Sequence, residues 1–403
     1  MYFTPLLPTN IDGTMDAALL EKAEKLCVLS ASLESVYPYQ ILDAIRSLLR
    51  VVNSYYSNQI ESEGTHPFDI EKASHKIFSG DLKQQQLQKL SLVHIEVQQW
   101  IETLFKAEGD EIVFKRDFIR DIHRKFYSHE DMKPFLNIHN KLPSGKEEII
   151  KMIPGEFRDR RVVVASHLAP EDTDIQTLFN LYESSYKIPP HSIKAKKVLY
   201  ALASHHRLTW IHPFLDGNGR TSRLVLDGIF AGIHLQGYGL WNISRGLARR
   251  SEDYKNYLAL ADKPREGDLD GRGALSLKNF KLYMHFMLDV AIDQVEYMSK
   301  ALQLPTLSQR IVNYVIFTQE HMYDVDPLPK YSEILLKELL MVGDMPRGSV
   351  APLIHASDRT ASMLIKKLLE RDFLDSDTPK GDIRLKFNTH FASAIFPDLI
   401  SRK

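Results

Sequence analysis

The sequence predicts a mainly α fold, with one short β-hairpin set among the helices and a helix-turn-helix followed by a second hairpin near the C-terminal end. Three observations carry this reading. Apolar residues recur at helical spacing on both sides of a glycine-containing loop: Val198, Leu199, Leu202 and Ala203 before it, Leu224, Val225, Ile229, Phe230 and Ile233 after it. Ile41, Ile45, Leu48, Leu49 and Val52 mark another strongly amphipathic helix. Val162, Val163 and Val164, by contrast, form a β-branched run beyond Gly155 and a stretch of charges, which reads as a short strand or hairpin.

At 403 residues the chain has room for two or three domains, each with its own core. Its composition, 44% hydrophobic and 26% charged, is that of an ordinary globular protein. A net charge of −1 gives no global pull towards nucleic acid or an anionic membrane. The single cysteine, Cys27, excludes an intramolecular disulfide and a cysteine-rich zinc site, and suits a reducing, cytoplasmic setting. Residues 1–8 lack a basic segment followed by an apolar one, so no signal peptide is expected. No apolar run approaches the ~18 residues of a membrane span.

Taken in order, residues 1–105 read as a helical region whose amphipathic helix, about 41–64, ends near Ser57 and Glu61. These two are four apart and share a face. A core follows over 106–302. Phe118, Ile119, Ile122 and Phe126 suggest a helix, Asn137 to Lys151 a polar loop, and the valine run a hairpin. His205 and His206 point to different faces of one helix, with no carboxylate or cysteine at ligand spacing, and read as structural or supporting residues. No G-x-x-x-x-G-K-[ST] occurs, which argues against a P-loop. Leu277 to about Met298 is the last core helix, and Gln303-Leu304-Pro305-Thr306 reads as a linker. In 303–403, Gly348 to Ile354, the turn His355-Ala356-Ser357-Asp358 and Arg359 to Leu369 form a helix-turn-helix pattern. Phe373 to Asp375 and Ile383 to Phe387 then read as a hairpin.

The chemistry concentrates in His212-Pro213-Phe214-Leu215-Asp216-Gly217-Asn218-Gly219-Arg220-Thr221-Ser222-Arg223. Pro213 stops one helix, and Gly217 and Gly219 allow a tight turn into the next. The free N–H groups of that second helix make a ready anion site. Arg220 and Arg223 fall in its first turn, where the macrodipole opposes positive charge, unless an anion shares the space. A polyphosphate would satisfy the arginines, the helix end and the glycine backbone together. Asp216 could then hold Mg²⁺ against the phosphates, and His212 could take a proton from an attacking hydroxyl. The pattern points to phosphoryl or nucleotidyl transfer.

This stretch resembles the signature of Fic (filamentation induced by cyclic AMP) domains, H-x-F-x-[DE]-G-N-G-R-x-x-R, at every fixed position. The resemblance implies a Fic-type helical core with a hairpin flap, and transfer of AMP from ATP to a Ser, Thr or Tyr hydroxyl of a target protein. It implies His212 as general base, Asp216 as Mg²⁺ ligand, Gly217, Asn218 and Gly219 as the anion hole, and Arg220 and Arg223 on the β- and γ-phosphates. Ser57-x-x-x-Glu61 resembles an inhibitory motif, [ST]-x-x-x-E-[GN], whose glutamate pairs with the second arginine, here Arg223. Ser62 stands where that motif has Gly or Asn.

Val162, Val163 and Val164 resemble the flap that adds a target strand. Tyr254 and Asp262 match an aromatic and a polar position of the adenine pocket, with Asp262 where others have Asn. The last region resembles the winged-helix domain appended to many Fic proteins. Arg359, Lys366 and Lys367 could meet DNA there. Yet residues 305–403 hold 13 Lys+Arg and 13 Asp+Glu, so protein contact is the better expectation. The expected enzyme is an autoinhibited adenylyltransferase that acts on a target and on itself, with a homodimer as a further expectation. The alternatives are removal of AMP or transfer of another phosphate-linked group, and a regulatory binding protein in which the nucleotide site only senses.

Overall fold

The computed structural model describes residues 16–107, 109–141, 147–164, 167–187, 191–270 and 274–400. Residues 1–8, read above for a leader, and Gly271-Arg272-Gly273 lie outside these, as does the side chain of Val164. The fold is mainly α, as the periodicity predicts.

Four helices come first: α1 (Ala17–Ser32), α2 (Tyr39–Ile60), α3 (Pro67–Ser74) and α4 (Leu82–Leu104). Asp16 and Asp81 cap α1 and α4 through their side chains, which accept the N–H groups of Leu19 and Gln84. The predicted apolar face of α2, from Ile41 to Val52, is buried throughout. After α5 (Arg116–Tyr127) come two antiparallel hairpins, β1 (Asn137–Lys141) with β2 (Glu147–Lys151), and β3 (Val163–Val164) with β4 (His167–Leu168). The first corrects the reading of 137–151 as a polar loop. Ile138 pairs with Ile150 there, and His139 with Ile149. The second places a hairpin where the valine run predicts one.

Helices α6 (Ile175–Ser185), α7 (Lys194–Ile211), α8 (Asn218–Gly232), α9 (Ile243–Arg249), α10 (Ser251–Ala261) and α11 (Leu277–Ala301) complete the central body. Helix α8 lies at its heart, touching α2, α4, α5 and α7. Nearly every residue from Asn218 to Gly232 is buried, so the helix is enclosed on all sides.

The chain continues through α12 (Leu304–Gln319), which begins where the sequence suggests a linker. Pro305 in its first turn explains the difference, since a proline there gives up no helical hydrogen bond. Next come α13 (Ser332–Val342), β5 (Asp344–Met345), α14 (Val350–Leu353) and α15 (Asp358–Glu370), then β6 (Leu374–Asp375), β7 (Ile383–Leu385) and α16 (Thr389–Ile395). The three strands pair antiparallel in the order β5–β7–β6, so helix-turn-helix and wing form as the sequence predicts. This region rests on the helix that leads to the site. β7 contacts α2 and α16 contacts α3, and Glu71 accepts the Thr389 N–H at 3.0 Å. The Tyr56 hydroxyl donates to the Leu399 carbonyl at 3.2 Å.

Candidate active site

The loop between α7 and α8 is shaped by two left-handed residues. His212 ends α7 with φ 50° and ψ 62°, and Gly217 opens α8 with φ 75°. Gly217 allows no substitute, because a Cβ would overlap the Tyr127 hydroxyl. Between them Phe214 is fully buried and stacks on His123 at 3.9 Å, a burial that contributes about 2 kcal/mol. His123 accepts the Gly155 N–H through Nδ1 at 2.8 Å and donates from Nε2 to the Asp216 carbonyl at 3.3 Å. Asn218 closes the loop with a two-way pair to the Phe214 backbone, at 2.9 and 2.8 Å. Its side chain therefore holds the loop, leaving only its backbone N–H for an anion.

No side chain caps the N-terminus of α8, so the first N–H groups of the helix face the loop unbonded by Gly217. Arg220 and Arg223 stand in that turn and are buried, at 3% and 2% exposure. A buried guanidinium needs an anion or a full set of hydrogen-bond acceptors, and here two carboxylates from the end of α2 supply the negative charge. Arg223 donates to Glu61 Oε1 at 2.7 Å, to Ser57 Oγ at 2.9 Å and to the Ser57 carbonyl at 2.8 Å. Arg220 pairs with Glu63 and donates to the Tyr127 hydroxyl at 3.1 and 2.7 Å. Burial opposes the Glu61 charge. The Arg223 guanidinium nevertheless holds its carboxyl below the usual range, helped by Arg220 and Lys255. The same carboxylate lies directly against Gly219, where a Cβ would overlap it.

The predicted residues Ser57, Glu61, Gly217, Gly219, Arg220 and Arg223 thus meet at one helix end. Glu63 joins them without being singled out by sequence. Ser62, between the two glutamates, takes φ 62°, the left-handed conformation that Gly and Asn adopt most readily. The odd residue of the inhibitory motif therefore sits where the backbone most favours the usual one.

Asp216 is exposed, accepts the Gly217 N–H at 2.7 Å, and is in no ion pair among the described residues. Its free carboxylate oxygen suits a cation that arrives with phosphates. Burial lowers the His212 imidazole to about 4, assisted by the positive charges of His167 and Arg158, so it is a neutral base at ordinary pH. Sequence reasoning missed Arg158. It is buried, and its guanidinium donates to the carbonyls of His212 (2.8 Å), Arg160 (2.8 Å) and Pro170 (2.6 Å), while its backbone N–H donates to the Pro213 carbonyl (2.9 Å). One arginine therefore ties the base of the β3–β4 hairpin to the backbone on both sides of the catalytic candidate.

In the hairpin Val163 is exposed and Val162 half-buried, with the Ala169 N–H donating to the Val162 carbonyl at 3.2 Å. Tyr254 is buried on α10, its hydroxyl 2.8 Å from His205 Nε2. Asp262, just past the end of α10, has both oxygens engaged by histidines, His206 Nε2 at 2.9 Å and His167 Nδ1 at 3.1 Å. His205 and His206 are thus supporting residues. Among the described residues, no three His, Cys, Asp or Glu side chains gather where they could hold a metal ion.

Residues 114–229 match the family model described as Fic/DOC family. A protein named "Protein adenylyltransferase Fic" from Aedes aegypti is 32% identical over 169 residues, which cover 42% of this chain and 29% of that protein. One of the same name from Drosophila melanogaster is 33% identical over 138 residues, 34% of this chain and 25% of that one. The match thus spans less than a third of either relative. Among solved structures, a Fic family protein from Desulfovibrio desulfuricans G20 superimposes with a TM-score of 0.51 at 13% identity, covering 95% of this chain and 98% of that one. Fic-1 from C. elegans gives 0.51 at 15% identity, covering 71% and 73%. These two show a shared fold. The signature loop built as described lies within the residues that match the Fic/DOC family model.

Proposed function

We propose that this protein is an adenylyltransferase that moves AMP from ATP to a protein hydroxyl, and that the end of α2 holds it inactive. The observation that carries the reading is the pair of buried arginines at the uncapped end of α8, neutralised by two carboxylates. Carboxylates and phosphates compete for the same guanidinium groups. With Glu61 and Glu63 withdrawn, Arg220, Arg223 and the first N–H groups of α8 would receive the β- and γ-phosphates.

The α-phosphorus then lies towards His212. A target hydroxyl attacks it, a new O–P bond forms, the bond to the bridging oxygen breaks, and pyrophosphate leaves. His212, neutral because it is buried, takes the hydroxyl proton. Arg220 and the helix end stabilise the charge on the leaving group. Asp216 fits a Mg²⁺ ligand, and the ion would supply charge neutralisation at the phosphates. The exposed edge at Val163 supports strand addition by the target.

The helix-turn-helix presents Arg359, Lys366 and Lys367 outward, but Lys366 already faces Glu370 at 3.7 Å. With its balanced charge, that region favours a protein partner over DNA. No helix of the described residues is long and apolar enough to cross a membrane.

Incubating Glu61→Gly with α-labelled ATP and Mg²⁺ tests the proposal. Label should enter the protein itself or a lysate protein, and Glu61→Gly/His212→Ala should incorporate none. Equal labelling by both variants would overturn the assignment.

A further inference from the structure

His167 lies on β4, and both of its ring nitrogens face acceptors. Nε2 is 2.8 Å from the Trp210 carbonyl, and Nδ1 is 3.1 Å from Asp262 Oδ2. A carbonyl oxygen has no proton to give, so Nε2 must carry one. A carboxylate has none either, so Nδ1 must carry the other. The geometry thus suits a ring protonated at both nitrogens. The other oxygen of Asp262 accepts from His206 Nε2 at 2.9 Å. Burial favours a neutral His206 by lowering its pKa, and among the described residues its Nδ1 meets no acceptor for a second proton.

One carboxylate thus joins three separate pieces of chain: the β3–β4 hairpin through His167, α7 through His206, and the end of α10, while His167 itself also meets α7 at the Trp210 carbonyl. The groups facing His167 are Asp262 from α10, His206 and His212 from α7 and its end, and Arg158 from the segment leading into the hairpin. Burial works against the His167 charge, but the hydrogen bond and charge of Asp262 outweigh it and raise the pKa. The Asp262 carboxyl is held well below its usual range despite burial, by the same two histidines.

We propose that Asp262 is a positioning residue that latches the β3–β4 hairpin over the site through a charged His167. The proposal goes beyond AMP transfer, because the latch stands whatever group the site moves. Only its consequence for target docking rests on that reading. It also gives the aspartate that replaces asparagine at this position a role of its own. Asparagine could accept from His206 and donate to a neutral His167, which keeps the contacts but not the charge. With aspartate the latch depends on the proton. A raised pKa means that its stabilisation is complete below the ordinary histidine value of 6.5 and is lost as pH rises through the folded value.

Two measurements on the intact chain test this. Histidine ¹⁵N NMR should show His167 doubly protonated, with a midpoint above 6.5 in the wild type and at or below it in Asp262→Asn. A wild-type midpoint at or below 6.5 overturns the proposal. Amide exchange at Ala169, whose N–H donates to Val162 across the hairpin, should speed up about tenfold in His167→Gln as the hairpin opens more often. In the wild type, protection should fall as pH rises through the His167 midpoint, and in Asp262→Asn it should not. Unchanged exchange in His167→Gln, or the same pH dependence in Asp262→Asn, overturns it equally. Neither measurement needs ATP, so failure of the latch is distinguishable from failure of the transferase reading.

Discussion

Replacing Glu63 with glutamine removes a charge from the carboxylate pair that we propose to be inhibitory, without removing its shape. The Arg220 side chain is 4% exposed and that of Glu63 is 34% exposed. Breaking a fully buried ion pair costs about 3–5 kcal/mol, and a surface pair is worth no more than about 1 kcal/mol. Here one partner is a third exposed, and Arg220 keeps two hydrogen bonds to the Tyr127 hydroxyl, at 3.1 and 2.7 Å. The closed state should therefore lose about 1 kcal/mol, which raises the open fraction, and with it the initial labelling rate, about fivefold. The assay is initial incorporation from α-labelled ATP by the parent, Glu63→Gln, Glu61→Gly and the double variant. Glu63→Gln should raise the rate about fivefold in the parent. It should also raise ATP affinity in the Glu61→Gly background, where Glu63 remains as a competitor for Arg220. Rates and affinities unchanged in both backgrounds would refute the assignment of Glu63 to the block.

Further outcomes follow from individual geometries. Ser62→Asn relieves a left-handed serine. It should strengthen the closed state by up to ~1 kcal/mol, seen as a higher melting temperature and slower basal labelling. Gly217→Ala meets both a positive φ and the Tyr127 hydroxyl. It should cost about 2 kcal/mol or more of stability in denaturant titration, and a neutral result would contradict the packing. His94, His123 and His205 are each lowered to about 3, mainly by burial. The unfolded chain gains protons near 6.5 that the native one refuses, so native stability should be full above that pH and fall progressively below it. His212, lowered to about 4 from 6.5, should give the Glu61→Gly enzyme a rate with no acid limb near 6.5.

The helix end that matters was legible because its signals are local. A proline stop, two glycines and two arginines in a first turn fall within twelve residues, and each implies backbone geometry that the structure contains. The α2 face was legible for the same reason, through its periodicity. What escaped is non-local or weakly patterned. Glu63 and Arg220 are 157 residues apart, and nothing near Glu63 distinguishes it from a solvated glutamate. The Arg158 guanidinium acts by reaching the backbone carbonyls of His212, Arg160, Pro170 and, at 3.4 Å, Ile211, a role that its neighbours Phe157 and Asp159 do not announce. The β1–β2 hairpin was hidden because its residues are mostly polar and partly exposed, with no apolar alternation to reveal a period of two. Asp262 is legible only as a match to a polar position of the adenine pocket, whereas its two histidine partners come from α7 and β4, far from it in sequence.

The central claim is that Arg220 and Arg223 receive the outer phosphates, which leaves the α-phosphorus as the centre attacked. Comparing ATP labelled on the α-phosphate with ATP labelled on the γ-phosphate, using Glu61→Gly/Glu63→Gln, tests it most directly. The account predicts protein-bound label from the α-position and none from the γ-position. Label retained from the γ-phosphate, or from neither, would contradict it.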